Sequence, residues 1–278
     1  MQQVSSTDVE QHRTTPFRPA GRGTVFWLLA ACMMLYLIGP LVYFLFVLPW
    51  PSVPSTLSDP DAVQALITSA ESATIATAFM ALFGIPLGYV LARFSFPGKS
   101  IVSVAIYLPL VFPPVISGII LLVLFGPYGL IGGPLTNAGW EVDDSLAGIV
   151  IAQIFVAAPF VIVAARSAFE SIDPRLEQVA ATLGHNRWSL FWRVSLPLAR
   201  GGIIAGLILA WMRALGEFGA TVVLAYHPYT IPVFTFVQLS SVGVAGALPL
   251  ALFSLGLSIV VIGAIVVVQR RTGKSIVI

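Results

Sequence analysis

The sequence predicts an all-α polytopic membrane protein with six transmembrane helices, and three observations carry that expectation. Hydrophobic residues make up 58% of the 278 and charged residues only 9%, with a mean hydropathy of +0.95. A soluble domain devotes about 25% of its residues to charge, so this chain cannot build a water-facing surface over most of its area. Apolar runs of the length that crosses roughly 30 Å of hydrocarbon, about 20 residues at 1.5 Å each, recur along it. The basic residues also sort into alternate connecting segments, as membrane orientation requires.

The elements follow in order. Residues 1–23 are polar, with Pro16, Pro19 and no apolar period, and read as a cytoplasmic tail. No charge falls between Arg22 and Asp59, which places a first span near 24–48 and its outer loop up to residue 60. A cleaved signal peptide is the competing reading. Its apolar region runs ~7 to 15 residues and ends in small residues, whereas this run is about twice as long and ends in Pro49, Trp50 and Pro51. The span is therefore read as retained.

A core of five further spans occupies 61–270, near 64–92, 101–125, 145–166, 200–225 and 248–269, with a polar loop over 170–199 and a short tail over 271–278. Thirteen of the fourteen basic residues lie in the N-terminal tail, in the loops at 93–99 and 166–200, and from Arg270 onwards, while the loops near 49–61, 127–143 and 226–247 hold none. Basic segments stay inside, so both termini and the 170–199 loop are expected in the cytoplasm. Splitting the uncharged run from 100 to 140 into two spans would send the Arg-rich 166–200 region outside. The even count is preferred.

That loop has its own punctuation. Asp173 and Pro174 form an N-cap with proline at the first helical position, and Gly184 supplies a left-handed stop. Asn186 caps a second short helix, Arg187 to Ser195, which Leu196-Pro197 should end. Trp188, Phe191, Trp192 and Val194 make that second piece apolar on one side. From pattern alone the segment is either a handle for a protein partner or an amphipathic helix lying on lipid headgroups.

Here the sequence resembles a family. The loop is similar to the motif of permeases of ATP-binding-cassette (ABC) importers: Glu-Ala-Ala, three residues, Gly, nine residues, Ile, one residue, Leu-Pro. It stands here as Gln178, Val179 and Ala180, then Gly184, then Val194, Leu196 and Pro197. Gln178 replaces the acid and Val179 the first alanine; Glu177 is adjacent but about 100° away on a helix. The resemblance implies a type I ABC importer permease whose loop, through Glu177 to Ala180, Gly184, His185, Val194, Leu196 and Pro197, docks on a separate ATPase. His185 meets either solvent or that subunit.

"LPLVFPPVISGIILLVLFG" at 108–126 and "RALGEFGAT" at 213–221 resemble the molybdate and sulfate branch of these permeases, and "AYHPYTIPVFTFVQL" at 225–239 resembles tungstate-type relatives in part. The resemblance covers roughly residues 62–269 and implies import of a tetrahedral oxyanion. It also implies an ATPase dimer that binds ATP and Mg, an extracytoplasmic oxyanion-binding protein, and a second permease subunit, identical or paralogous. A bacterial or archaeal inner membrane is the setting, with lipid rather than nucleic acid around the chain.

The residues themselves bear on this. "PGKS" at 97–100 and "TGKS" at 272–275 end like a phosphate-binding loop, but Arg93 and Val268 occupy the required first glycine. No nucleotide site or cofactor of its own is expected, and the chain is read as no enzyme. Cys32 stands alone, and His12, His185 and His227 are scattered, so no disulfide or metal centre is expected. Asp59, Asp61, Glu141, Asp143 and Asp144 leave the outer loops acidic, which favours delivery of an anion by a binding protein.

Within the spans, Pro113 and Pro114 free backbone carbonyls, which calls for an interior or aqueous face or for a packing kink. Arg213 and Glu217, at i and i+4, are expected on one helical face beside Gly216 and Gly219, either lining the translocation path near a gate or fixing helix register as a buried pair. A proton-coupled secondary transporter, or an ABC permease for a different small solute, are the rival functions; the first would show repeats and paired broken helices.

Overall fold

The computed structural model describes residues 23–272, so the expected tails over 1–22 and 273–278 lie outside the described residues. The chain divides into two compact units at Leu48 and Pro49. The first holds α1, Gly23–Val47, apolar on every face and carrying Pro40. Apolarity all round is what a helix surrounded by lipid or protein requires.

The second unit is built on three long helices. Helix α2, Pro60–Arg93, starts where Asp59 accepts a hydrogen bond from the Asp61 N–H at 2.9 Å, with Pro60 in the first turn. Helix α3 (Lys99–Val111) and α4 (Pro114–Phe125) come next, then α5, Leu146–Glu170, capped by Ser145 accepting from the Gly148 N–H at 3.2 Å. The polar loop contributes α6, Pro174–Thr182, and leads into α7, Arg187–Leu215. A single turn, α8 (Thr221–Leu224), then α9 (Ile231–Ser241) and α10 (Val244–Thr272) complete the chain.

Helices α2, α5 and α7 pack through small residues. A Cβ on Gly88 would stand 2.8 Å from Ala165 Cβ, and one on Gly206 would stand 2.4 Å from Ala164 Cβ, so these contacts exist only because the side chains are hydrogens. Lipid gives no hydrophobic drive between helices, and close backbone approach replaces it with dispersion contacts. Ala73, Ala76, Met80, Ala157, Val161 and Ala210 form the buried centre. Polar links tie it laterally: Gln153 Nε2 donates to Ser72 Oγ at 3.0 Å, and Trp211 Nε1 donates to Thr74 Oγ1 at 3.2 Å.

Five described helices are long and apolar enough to cross a membrane, and the bent pair α3–α4 brings the number to six when it is counted as one broken span. Six spans are what the sequence predicts, yet two of them are not simple rods. The third, expected as one helix over 101–125, turns by 115° between α3 and α4. Phe112 takes an extended conformation because Pro113 excludes the helical one, and Pro114 then starts a new helix.

The fifth, expected over 200–225, stops at Leu215 and unwinds through residues 216–220. Glycine twice in four residues weakens the helix there, and the Glu217 carboxylate accepts the freed Ala220 N–H at 2.9 Å. The expected outer loop at 226–247 is also different, because α9 packs back against α2 and α10. Ile231 and Phe234 are 3% and 4% exposed against Ala62, Ala65 and Leu250. The Ile231 N–H donates to Ser69 Oγ at 2.7 Å, nine residues into α2 and so about 13 Å along it.

The two breaks meet. A Cβ on Gly219 would lie 2.6 Å from Pro114 Cβ and 3.1 Å from the Val115 nitrogen, and one on Gly118 would lie 2.8 Å from the Ala220 carbonyl oxygen. Gly216, in contrast, has only the Met212 oxygen at 3.6 Å. Gly219→Ala should therefore destabilise the detergent-solubilised protein by about 1–3 kcal/mol, while Gly216→Ala leaves its thermal unfolding midpoint nearly unchanged. Equal midpoints for the two variants would contradict this packing.

Candidate functional site

Two groups of residues stand out: the polar loop at the basic end of the bundle and the break at 216–220. In the loop, Asp173 Oδ1 accepts from the Arg175 N–H at 2.9 Å and starts α6, and Gly184 ends it with φ of 89°. That left-handed backbone angle strongly favours glycine. Asn186 Oδ1 then accepts from the Ser189 N–H at 2.8 Å and starts α7. These starts and stops match the sequence reading.

The end of the second piece does not. Leu196-Pro197 was expected to terminate it, but the helix continues through them into the membrane as far as Leu215. A π turn at Phe191–Ser195 makes this possible, with the Leu196 N–H reaching back to the Phe191 oxygen. Pro197 brings no N–H and crowds the preceding turn, and the widened turn absorbs both defects.

Glu177 turns inward. Its Oε2 lies 2.8 Å from Arg93 Nε at the end of α2, and its Oε1 accepts from Ser195 Oγ at 2.7 Å in the π turn. Arg93 also donates through Nη2 to the Ile172 oxygen at 3.2 Å. One carboxylate thus joins α2, α6 and α7. Rings fill the space beside it, with Tyr89 at 5.0 Å from both Phe169 and Phe191 in edge-on contact.

The opposite face of α6 is open. Leu176, Val179 and Leu183 are 51%, 58% and 78% exposed at a spacing of i, i+3 and i+7, and Gln178 is exposed beside them. Ala180 is buried and Val194 half-buried, so they hold the loop together rather than present it. His185 Nδ1 is 2.7 Å from Ser189 Oγ, which draws the ring into the helix–helix corner. The sequence reading did not single out Leu176, Leu183, Arg93 or Ser195. The apolar period of α6 marks the two leucines, whereas nothing local marks Arg93 or Ser195.

At the break, Arg213 Nη1 lies 2.5 Å from Glu217 Oε2. The pair forms as its spacing suggests, but not on one helical face, because α7 has already ended and Glu217 sits in the unwound segment. Glu217 is 1% exposed, while the Arg213 side chain is 30% exposed. Gly219 admits a neighbouring helix of the same chain, through Pro114 at the start of α4, and Gly216 remains open. It borders a cavity of about 360 Å³ with Ser69, Trp211, Thr235, Ser254 and Ser258.

The unit from Pro49 on is a helical bundle with two broken spans and a capped, exposed helix at its basic end, an architecture that suits a membrane permease. The model of the family described as binding-protein-dependent transport system inner membrane component matches residues 84–274, and the chain belongs to that family. It is 42% identical over 242 residues to a probable molybdenum ABC transporter permease of Haloferax volcanii, covering 87% of each chain. It is 40% identical to the molybdate/tungstate transport system permease WtpB of Thermococcus kodakarensis, over 79% of this chain and 83% of that one. With the molybdenum transport permease ModB of Escherichia coli K12 the identity is 39%, over 73% and 91%.

Among solved structures, a bacterial ABC transporter that imports the polysaccharide alginate superposes with a TM-score of 0.65 at 20% identity, covering 89% of this chain and 96% of its own. The MetNI methionine transporter superposes at 0.62, covering 75% and 94%. These two show the fold, a type I importer permease.

Arg93→Gln leaves the Glu177 carboxylate, 11% exposed, facing only a hydroxyl. Unfolding stability should drop by about 2 kcal/mol or more, and the Arg93→Gln, Glu177→Gln pair should lose clearly less than the sum of the single changes. Additive losses in a double-mutant cycle would mean that the two groups do not interact.

Proposed function

We propose that this chain is the permease subunit of an ATP-driven importer for a tetrahedral oxyanion of the molybdate and tungstate class. The observation that carries the proposal is α6: a short helix clamped on its inner side by Glu177 and showing Leu176, Val179 and Leu183 on its outer side. A rigid helix with an unpaired apolar stripe fits a groove on another protein. An ATPase dimer binding ATP and Mg is the partner that the family membership supports, since importers of this kind are driven by a separate subunit and this chain binds no cofactor in this reading.

The names of its relatives favour molybdate or tungstate as cargo. An extracytoplasmic binding protein delivers the anion past the acidic outer loops, and two permease subunits, identical or paralogous, enclose its path. Both termini and α6 face the cytoplasm, following the basic residues. ATP-driven closure of the partner moves α6, and the Glu177 clamp passes that motion to α2 and to the foot of α7.

Arg213 is the cation on the path. Glu217 is held by the Ala220 N–H, so the ion pair fixes the guanidinium in place. Five N–H donors belong to that group, and Glu217 does not exhaust them. A passing oxyanion therefore meets a donor whose charge is partly balanced, which attracts it without trapping it.

Two measurements test this. A cysteine at Leu183 should crosslink to the ATPase subunit in assembled transporter, and more strongly than one at His185, whose ring is engaged with Ser189; absence of any crosslink to a nucleotide-hydrolysing protein would overturn the coupling role. Arg213→Gln should abolish uptake of radiolabelled molybdate while co-purification with the ATPase is unchanged. Unimpaired uptake would leave the Arg213–Glu217 pair as a packing element only.

A further inference from the structure

The other helix of the loop offers a different surface. A groove of about 850 Å³ runs between α2 and the first turns of α7. Ala78, Leu82 and Pro86 line it on one side, and Arg187, Trp188 and Trp192 on the other. From Ala78 to Val90 the wall advances twelve residues, about 18 Å, close to one leaflet of a ~30 Å hydrocarbon layer. At its outer end the Arg187 guanidinium sits 5.5 Å from the centre of the Phe94 ring. Trp188 and Trp192 are 71% and 50% exposed there, the place where indoles mark a membrane–water boundary.

We infer that this groove holds one acyl chain of an anionic phospholipid, with the lipid phosphate on Arg187. Charge complementarity selects this occupant. No carboxylate pairs with Arg187 among the described residues. A protein partner outside the bilayer cannot fill the groove, because Ala78 lies fifteen residues, about 22 Å, inside the end of α2 at Arg93.

A second copy of the chain does not complement it either. Its acids within the spans and the broken segment are Asp61, Glu71, Glu170 and Glu217, of which Asp61 lies at the far end of α2 and Glu170 is paired with Arg166. Glu217 is committed to Arg213, and Glu71 lies towards the far end of α2, about 33 Å along the helix from Arg93. A phosphate with an attached hydrocarbon chain satisfies both the cation and the apolar wall. The inference requires only that the chain spans a bilayer with Arg187 at one boundary, and it is independent of the cargo and of the ATPase.

The loop thus divides its work. Helix α6 shows its stripe to a protein, while the start of α7 rests on lipid. The aromatic residues belong to the second piece alone, and of the basic residues only Arg175 lies in α6.

Tryptophan quenching tests the assignment on the assembled transporter in bilayers of phosphatidylcholine, titrated with phosphatidylglycerol brominated on its acyl chains or with brominated phosphatidylcholine. Subtracting the signal of a Trp188→Phe, Trp192→Phe variant isolates the two groove indoles. Half-quenching should need roughly fivefold less brominated phosphatidylglycerol than brominated phosphatidylcholine, as about 1 kcal/mol per basic residue implies. Arg187→Gln should erase that preference but keep the quenching, Arg193→Gln should leave both unchanged, and Ala81→Phe should reduce quenching by either lipid.

Equal half-quenching by the two lipids, or a preference that survives Arg187→Gln, would overturn the inference. No quenching at all would mean that a second copy or another protein covers the groove, and would overturn it as well. None of these outcomes depends on transport, so they separate from failure of the importer reading.

Discussion

A backbone inside hydrocarbon must have its N–H and C=O groups paired, and most of this structure follows from how the chain meets that demand while breaking two of its spans. A break is tolerable only where protein satisfies the freed groups. Here the two breaks are packed on each other. The Pro113–Pro114 turn lies against Gly219, Gly118 lies against Ala220, and the Glu217 carboxylate takes the N–H that the unwound helix releases. Each irregular segment supplies the walls that the other needs.

Small residues make that arrangement affordable in space. Helices α2, α5 and α7 approach so closely at Gly88 and Gly206 that they act as one slab, with Gln153, Ser72 and Trp211 pinning it sideways. On this slab α9 folds back through the Ile231 to Ser69 bond, and its Phe236 ring meets Phe218 of the unwound 216–220 segment at 5.1 Å. The slab and the two broken spans are distinct parts, the first packed helix to helix through small residues and the second packed break to break.

The Glu177 clamp connects the slab to the outside. An apolar stripe on α6 could grip a partner without transmitting anything if the helix swung on a loose loop. With Arg93, Ile172 and Ser195 gathered around one carboxylate, α6 is tied to α2 and α7 together. The π turn contributes by keeping α7 continuous past Pro197, so that the loop and the span leading to Arg213 are one helix.

The all-helical class, the six apolar segments, the helix starts at Asp173 and Asn186, and the stop at Gly184 were legible in the sequence, because hydropathy and capping are local properties. The Arg213–Glu217 pair was legible too, since four residues of separation bring the groups together in a helix and across its frayed end. The 115° turn at Pro113, the early stop at Leu215 and the burial of α9 were not. An apolar run has the same hydropathy whether it is straight or broken, and only the facing segment decides whether a break can be satisfied. The inward turn of Glu177 was equally out of reach, since its partners Arg93 and Ser195 lie 84 and 18 residues away and become neighbours only through packing. The amino-acid sequence by itself determined what the membrane demands of each segment; the tertiary structure alone decided which segments answer for one another, because pairing of freed polar groups depends on distance in space.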